Sequence, residues 1–429
     1  MLRAFVNAFR VPDLRKKILF TLLIIAIYRL GSHVPVPVVD IGRLQDALTQ
    51  QGAGGFLAFI DLFSGGALTR MAIFGLGIMP YITSSIIMQL LTVVIPKLER
   101  WQKEGESGIK KINQTTRYVT VVLALLQSTG LVFLFHSRSA QLGGVDIFPP
   151  GDFTAANVAL IVLVMTAGTA MIMWMGELIT QRGIGNGMSV LIFTSVISRL
   201  PQEGRAILVS GGTAKFIVVL LIGLAIIVGV IFIEQGQRRI PVQYAKRVVG
   251  RRMTTGGSTY IPLKVNQAGV IPIIFASSML YFPTLLASVY HAGWFQRFVD
   301  NYLTNQRSLV YMFVYGGFVV FFAYFYTAIA FNPVDTADNL RKYGGFIPGI
   351  RPGPPTADYL NFVMTRITLP GSLFLAAVAL LPSVVFAFWT IRQFPFGGTS
   401  LLITIGVALE TMKQLESQLL MRHYEGFLK

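Results

Sequence analysis

Four histidines (His33, His136, His291 and His423) and no cysteine are all that the chain offers to metal or thiol chemistry. The histidines are scattered, with no HExxH pair and no His-rich tract, so a zinc site has no ligand set to rest on. The lack of cysteine excludes disulfides, thiolate nucleophiles and iron–sulfur ligation. No GxxxxGK[ST] loop occurs, so any energy from ATP would have to come from a partner. What the residues do suit is control of passage by shape and polarity. FIDLFSGGALTR, which ends at Arg70, is an apolar stub broken by Gly65-Gly66 and closed by an arginine. Directly after it comes an apolar run in which Ile78 and Ile82, four apart, share one helix face. A constriction of branched aliphatic side chains dewets and blocks ions. An apolar pair alone faces lipid or core far more often than a pore.

These residues sit among elements that composition places in a membrane. The chain has 429 residues, 53% of them hydrophobic and only 13% charged, with mean hydropathy +0.63. A soluble domain carries about a quarter charged residues, so this chain cannot coat a water-facing surface. Apolar runs near 20 residues recur, the length that crosses about 30 Å of hydrocarbon. They are continuous rather than alternating, which disfavours a barrel. Ten spans are predicted, at 18–33, 71–95, 118–135, 155–175, 184–199, 215–233, 265–290, 309–330, 367–390 and 399–420. The first follows Lys16-Lys17 but leads into GSHVPVP rather than a small-x-small cleavage site, so it is read as a retained span. Glu177, Glu234 and Glu410 fall at span ends and no carboxylate falls mid-span. The bundle interior is therefore expected to be nearly uncharged, which argues against a proton or sodium relay.

Charge orients the bundle. Most of the 36 lysines and arginines lie before the first span, in alternate loops and at the C-terminus. The positive-inside rule puts that side, with both termini, in the cytoplasm. The net charge of +17 is explained mainly by this topology and by attraction to anionic lipid. Two loops on that side, 234–264 and 331–366, are long for a tight bundle, which marks them as functional. The first alternates β-branched and polar residues around Gly250 and Gly256-Gly257 and predicts a hairpin. The second has a short amphipathic piece and then a Pro/Gly-rich turn that carries Arg351. Both suit the docking of a partner.

The stub at 56–68 is at most about 20 Å long as a helix, too short to span. Irregular backbone at membrane depth is tolerated only inside protein or a water-filled cavity. It must fold back into the bundle from the extracytoplasmic side, either as an interfacial re-entrant piece or as a gate.

AIFGLGIMPYITSSIIMQLL (72–91) and MWMGELITQRGIGNGMSVLI (173–192) resemble the two signature segments of the SecY family, the central subunit of the protein-conducting channel. EQGQRRIPVQYAKR, LKVNQAGVIPIIFASS, GIRPG and FGGTSLLI follow in the family's order, so the resemblance covers essentially the whole chain. It implies an all-α polytopic membrane protein with ten transmembrane helices in two pseudo-symmetric halves around a central hourglass pore. The boundaries would be a cytoplasmic amphipathic segment at 1–17, an N-terminal half at 18–200, an extracytoplasmic hinge loop at 201–214 and a C-terminal half at 215–429.

Carried over by position, the resemblance assigns residues 56–70 to the plug, with Asp61, Ser64, Gly65, Gly66 and Arg70. It assigns the pore ring to Ile78, Ile82, Ile192, Val196, Ile274 and Ile403. It places a lateral gate between spans 2–3 and 7–8, with Thr83, Gln127, Ser277, Ser278 and Phe282. There, pairing of Gln127 with Thr83 or with Ser277 and Ser278 would contribute about 0.5–2 kcal/mol. Docking of a SecA motor ATPase or a translating ribosome, including its RNA, would fall to Arg238, Arg239, Lys246, Arg247, Arg251, Arg252 and Arg351. The implied partners also include SecE and SecG small membrane subunits, signal sequences and unfolded preproteins. The implied location is the bacterial cytoplasmic membrane. No cofactor and no catalysis are implied. The rival is a secondary transporter of a small apolar or peptide solute, which needs a midplane site that the spans do not supply. A purely structural subunit would gain nothing from the stub or from seams of small residues.

Overall fold

The computed structural model describes residues 9, 11–39, 42, 61, 63–137, 153–244, 247–249, 252–254, 257–289, 293–304, 308–388 and 398–427. Residues 1–8, residues 56–60 and 62 of the stub, Lys246 and Arg251 lie outside the described residues, as do the side chains of Arg247, Arg252 and Phe282.

Helices dominate. α1 runs Pro12–Gly31, with a proline in its first turn where the missing N–H costs nothing. α2 runs Met79–Val94 and α3 runs Pro96–Lys103, the two bent by 99°. Pro96 cannot continue the ladder of α2, so the chain turns there. α4 runs Glu106–Ser137 and α5 runs Ala155–Arg182, where the Thr154 hydroxyl accepts from the Asn157 N–H at 3.4 Å. α6 runs Gly187–Gln235, capped by the Asn186 side chain, which accepts from the Met188 N–H at 3.1 Å. Beyond a set of short strands, α7 runs Ile271–Val289 and α8 runs Gly293–Phe298, which leads into a π-helical turn, Val299–Thr304. α9 is Leu309–Ala330, α10 Pro333–Lys342, α11 Pro354–Phe388 and α12 Gly398–Phe427. Outward faces carry exposed Leu19, Leu22 and Leu23 on α1 and exposed Phe313 and Phe321 on α9, a surface that lipid and not water would cover.

Two predicted spans and one predicted loop differ in detail. The second begins as helix only at Met79, and 71–78 is a chain of turns and a β-bridge. Glycines at 75 and 77 disfavour helix there, and Gly77 has φ +57°. The loop predicted at 201–214 is helical, despite Pro201, as far as Gly211. The break between the fifth and sixth spans is a single residue, Gly212, at φ 74° and ψ 171°, a conformation open essentially to glycine alone. The seventh span begins as helix at Ile271 and not at 265. Five helical stretches among the described residues are long and apolar enough to cross by themselves, and α2 with α3 would make a sixth. α1 falls short of that measure because Arg15, Lys16, Lys17 and Arg29 lie within the helix, and α2 because it has only 16 residues.

On one face of the bundle the predicted hairpin is formed by β1 (Gln237–Tyr244) and β4 (Ser258–Lys264), antiparallel with Gln237 opposite Lys264. A smaller hairpin of β2 (Arg247–Val249) and β3 (Arg252–Thr254) sits within it in sequence. β5 (Gly345–Phe346), from the second long loop, adds to the free edge of β1. Ile240, Val242, Leu263, Leu340, Ile347 and Leu360 bury together, so the two loops share one small core with the start of α11.

Candidate functional site at the centre of the bundle

The six aliphatic residues assigned to the ring meet in one place. Ile78 caps α2, and its carbonyl accepts from the Ile82 N–H at 3.1 Å, which keeps the two on one face. Ile192 and Val196 come from α6, Ile274 from α7 and Ile403 from α12. Ile78, Ile192, Val196, Ile274 and Ile403 belong to a single buried cluster, and Ile82 packs against it. Val196 and Ile403 are each 1% exposed, so no water-wide path passes between them. The cluster also holds Phe63 and Ala67 of the stub. The stub therefore lies against the constriction, inside the bundle.

The described part of the stub is a compact body with its own hydrogen bonds. The Thr69 N–H donates to Asp61 Oδ1 at 3.1 Å, and the Gly66 N–H to the Asp61 carbonyl at 3.1 Å. The Ser64 hydroxyl donates to the Asp61 carbonyl at 3.2 Å and accepts from the Leu68 N–H at 3.2 Å. A 3-10 turn, Leu68–Arg70, ends at Met71, a buried residue in the left-handed region with φ 43° and ψ 48°. Two bonds brace the exit. The Val36 N–H donates to the Met71 carbonyl at 2.7 Å, and the Ile73 N–H donates to the Val34 carbonyl at 2.9 Å. Gly65 and Gly77 are required by space as well as by positive φ. A Cβ on Gly77 would stand 3.0 Å from the Phe63 carbonyl oxygen, and one on Gly65 would stand 3.1 Å from Ser195 Cα. Arg70 is half-buried, and its Nη1 has no hydrogen-bond partner.

The interior is not as uncharged as the sequence predicts. Asp61 is 2% exposed and pairs with Arg199 of α6, Nη1 to Oδ2 at 3.0 Å. Arg29 of α1 donates from Nη1 to the Gly65 carbonyl at 3.1 Å and to the Ser198 hydroxyl at 2.9 Å. The Tyr28 and Ser195 hydroxyls bond at 2.6 Å beside it. Burial of Asp61 is tolerated because its charge is matched and its lone pairs are filled. Arg29 and Arg199 look like stray positive charges at span ends when the sequence is read alone. Their signal is their position, since the charge count predicts that end of the spans to be poor in arginine.

The residues assigned to the gate do not make the expected bonds across the helices. Thr83 donates to the Met79 carbonyl at 3.0 Å and Ser277 to the Ile273 carbonyl at 2.9 Å, each within its own helix. The Ser278 hydroxyl is buried without a partner. No hydrogen bond joins half-buried Gln127 to any of them among the described residues. The Thr83 and Ser277 hydroxyls thus spend their proton on the preceding turn of their own helix. The polar links lie elsewhere, Ser84 to Thr120 at 2.5 Å and Ser128 to Thr166 at 3.4 Å, and tie α2, α4 and α5 together. α4 does contact α7. Across that line Ile86 and Leu90 of α2 pack on the cluster that holds Ile273, Phe275 and Leu280 of α7. The seam is apolar.

Of the docking residues, Arg238 and Arg239 lie exposed on β1, with the Arg239 guanidinium 4.9 Å over the Tyr260 ring. Arg247 and Arg252 fall on β2 and β3. Arg351 is exposed in the turn after β5, where its carbonyl accepts from the Thr356 hydroxyl at 2.8 Å.

A multi-pass helix bundle with a short segment folded in against an apolar constriction has the architecture of the protein-conducting channels. Solved structures share it. A protein-conducting channel superposes with TM-score 0.62 at 16% identity, covering 94% of this chain and 92% of that one. Sec61 in the canine ribosome–channel complex gives 0.58 at 15%, with the same coverage. The SecY family profile matches residues 72–412. The protein translocase subunit SecY of Mycobacterium tuberculosis is 53% identical over the full length of both chains, and that of Streptomyces coelicolor 54%. The chain belongs to the SecY family; it is a channel subunit and not an enzyme.

Proposed function

We propose that this chain is the conducting subunit of a preprotein translocase. It passes unfolded secretory polypeptides across the bacterial cytoplasmic membrane and releases transmembrane segments sideways into lipid. The observation that supports this most is the convergence of six branched aliphatic residues from four elements, five in one buried cluster with the stub and Ile82 packed against it. Such a ring offers no hydrogen bond to a passing chain, so it grips no particular sequence. Its side chains can close around a threaded polypeptide and exclude ions. The stub acts as the plug on the extracytoplasmic side. The apolar seam along α2 and α7 is the lateral gate, held by burial rather than by hydrogen bonds, so an apolar signal sequence can replace the contacts it breaks.

The basic strands and the Arg351 turn form a docking platform for a SecA motor or a translating ribosome. Arginine's planar fork suits carboxylate and phosphate alike. Sec61 and yeast Ssh1 were solved as ribosome complexes, which supports the ribosomal arm of this reading. The charge distribution supports cytoplasmic termini. The greasy outer faces leave room for SecE and SecG subunits and anionic lipid. The test is the triple substitution Ile82→Gly, Ile274→Gly and Ile403→Gly in planar bilayers. It should leak ions at rest. A tight membrane with this variant would remove the gasket, and with it the channel reading.

A further inference from the structure

We infer that Arg199 and Arg29 are positioning residues that hold the plug seated and so set how strong a signal sequence must be to open the channel. The inference rests on the channel reading above. Most polar bonds of the plug's described residues are internal: Asp61 and Ser64 fasten Gly66, Leu68 and Thr69 into one body that can move as a unit. Among the described residues, few polar contacts tie that body to the helices around it. They include the Asp61–Arg199 pair at 3.0 Å, the Arg29 bond to the Gly65 carbonyl at 3.1 Å and a long bond of 3.5 Å from the Tyr28 hydroxyl to the Ser64 carbonyl. Arg29 bonds Ser198 with the same nitrogen, one residue before Arg199, so both tethers converge on one turn of α6. Tyr28 is fixed by Ser195, on that same stretch.

The pair is buried on the Asp61 side, where the carboxylate is 2% exposed. Removing one partner there leaves a charge uncompensated, so the seated state loses more than a surface pair would cost. The seat is also loaded toward release. Arg70, at the plug's end, has its Nη1 buried without a partner. Met71 holds a left-handed conformation that costs a non-glycine residue energy. A latch of this kind answers to geometry. A signal sequence that spreads α2 from α7 need only shift α6 relative to α1 to pull the two tethers against each other.

The experiment uses the assembled translocase with Asp61→Asn, Arg199→Gln, the double variant and Arg199→Lys. Resting conductance in planar bilayers is read beside export of a precursor with a defective signal. Asp61→Asn keeps an oxygen for the Thr69 N–H and removes only the charge. Each single change should raise both readouts about tenfold, equivalent to ~1.4 kcal/mol off the seated state. The double variant should be no worse than the worse single, because both remove one interaction. Arg199→Lys should restore tightness. Singles at the parental level, or a double variant whose effects multiply, overturn the latch. Should Arg199→Gln not assemble, Arg29→Gln must show the same rise or the proposal falls. The ring-glycine variant runs alongside. If it leaks while the latch variants stay tight, only the latch is lost; if it too is tight, the channel reading has failed.

Discussion

In the channel reading proposed above, Gly77 decides whether the plug can seat. Its φ is +57°, and a Cβ there would meet the Phe63 carbonyl oxygen and Ser64 Cα at 3.0 Å, both backbone atoms of the plug. Backbone cannot rotate away as a side-chain tip can. The substitution Gly77→Ala therefore adds ~1 kcal/mol of left-handed strain and a contact relieved only by moving the plug outward. We expect this variant to assemble and to show raised resting conductance in planar bilayers, with export of normal precursors intact. Unchanged conductance would mean that Phe63 and Ser64 do not rest on Gly77 in the resting channel. Ser278 shows the limit of reading single residues. Its place in the sequence suits a gate bond, yet its buried hydroxyl finds no partner.

Among elements, α6 carries the most consequence. It supplies two residues of the proposed ring, the arginine that pairs with Asp61 and, beyond Gly212, a limb whose exposed Leu221, Leu224 and Val228 face outward. The change of direction rests on one glycine. A methyl group added there would meet nothing within 4 Å, so the cost of a side chain is purely conformational. Gly212→Val should cost about 1–3 kcal/mol, read as a fall in the thermal midpoint of the detergent-solubilised protein. A midpoint equal to the parent's would show that the bend does not depend on glycine. The seam beside α7 follows another rule. Its partners are Ile86, Leu90, Ile273, Phe275 and Leu280, and apolar contacts inside lipid gain little from the hydrophobic effect, since lipid tails are as apolar as they are. Replacement of such a seam by lipid or a signal helix at small cost fits the lateral gate proposed above.

At the scale of the whole molecule, two distant loops act as one. β5 adds to β1, and Leu340, Ile347 and Leu360 close the core beneath them, so Arg238, Arg239 and Arg351 ride on a single support. That support continues directly into α11, which gives a docked partner a rigid connection to the bundle. Arg351→Glu should cut export of a motor-dependent precursor by tenfold or more, about 1.4 kcal/mol, because its side chain is exposed and free to meet a partner. The amount of assembled protein should not change. Loss of assembly instead of activity would make Arg351 a structural residue and remove the docking role.

The chain's order of residues was enough to establish the membrane, the family and the helical spans, because long apolar runs and the placement of lysine and arginine act locally and one-dimensionally. It also carried the hairpin of β1 and β4, whose alternation is local as well. It misplaced the start of α2 and made a loop of 201–211, since glycine and proline weaken a helix without forbidding one that tertiary packing supports. The polar partners were beyond it for a deeper reason. Tyr28 with Ser195, Asp61 with Arg199, and Arg29 with Ser198 are joined across more than a hundred residues of chain. Nothing local says which of several serines or arginines will face which. Only the packed bundle, by leaving each buried polar group a short choice of neighbours and a large penalty for having none, made those pairs.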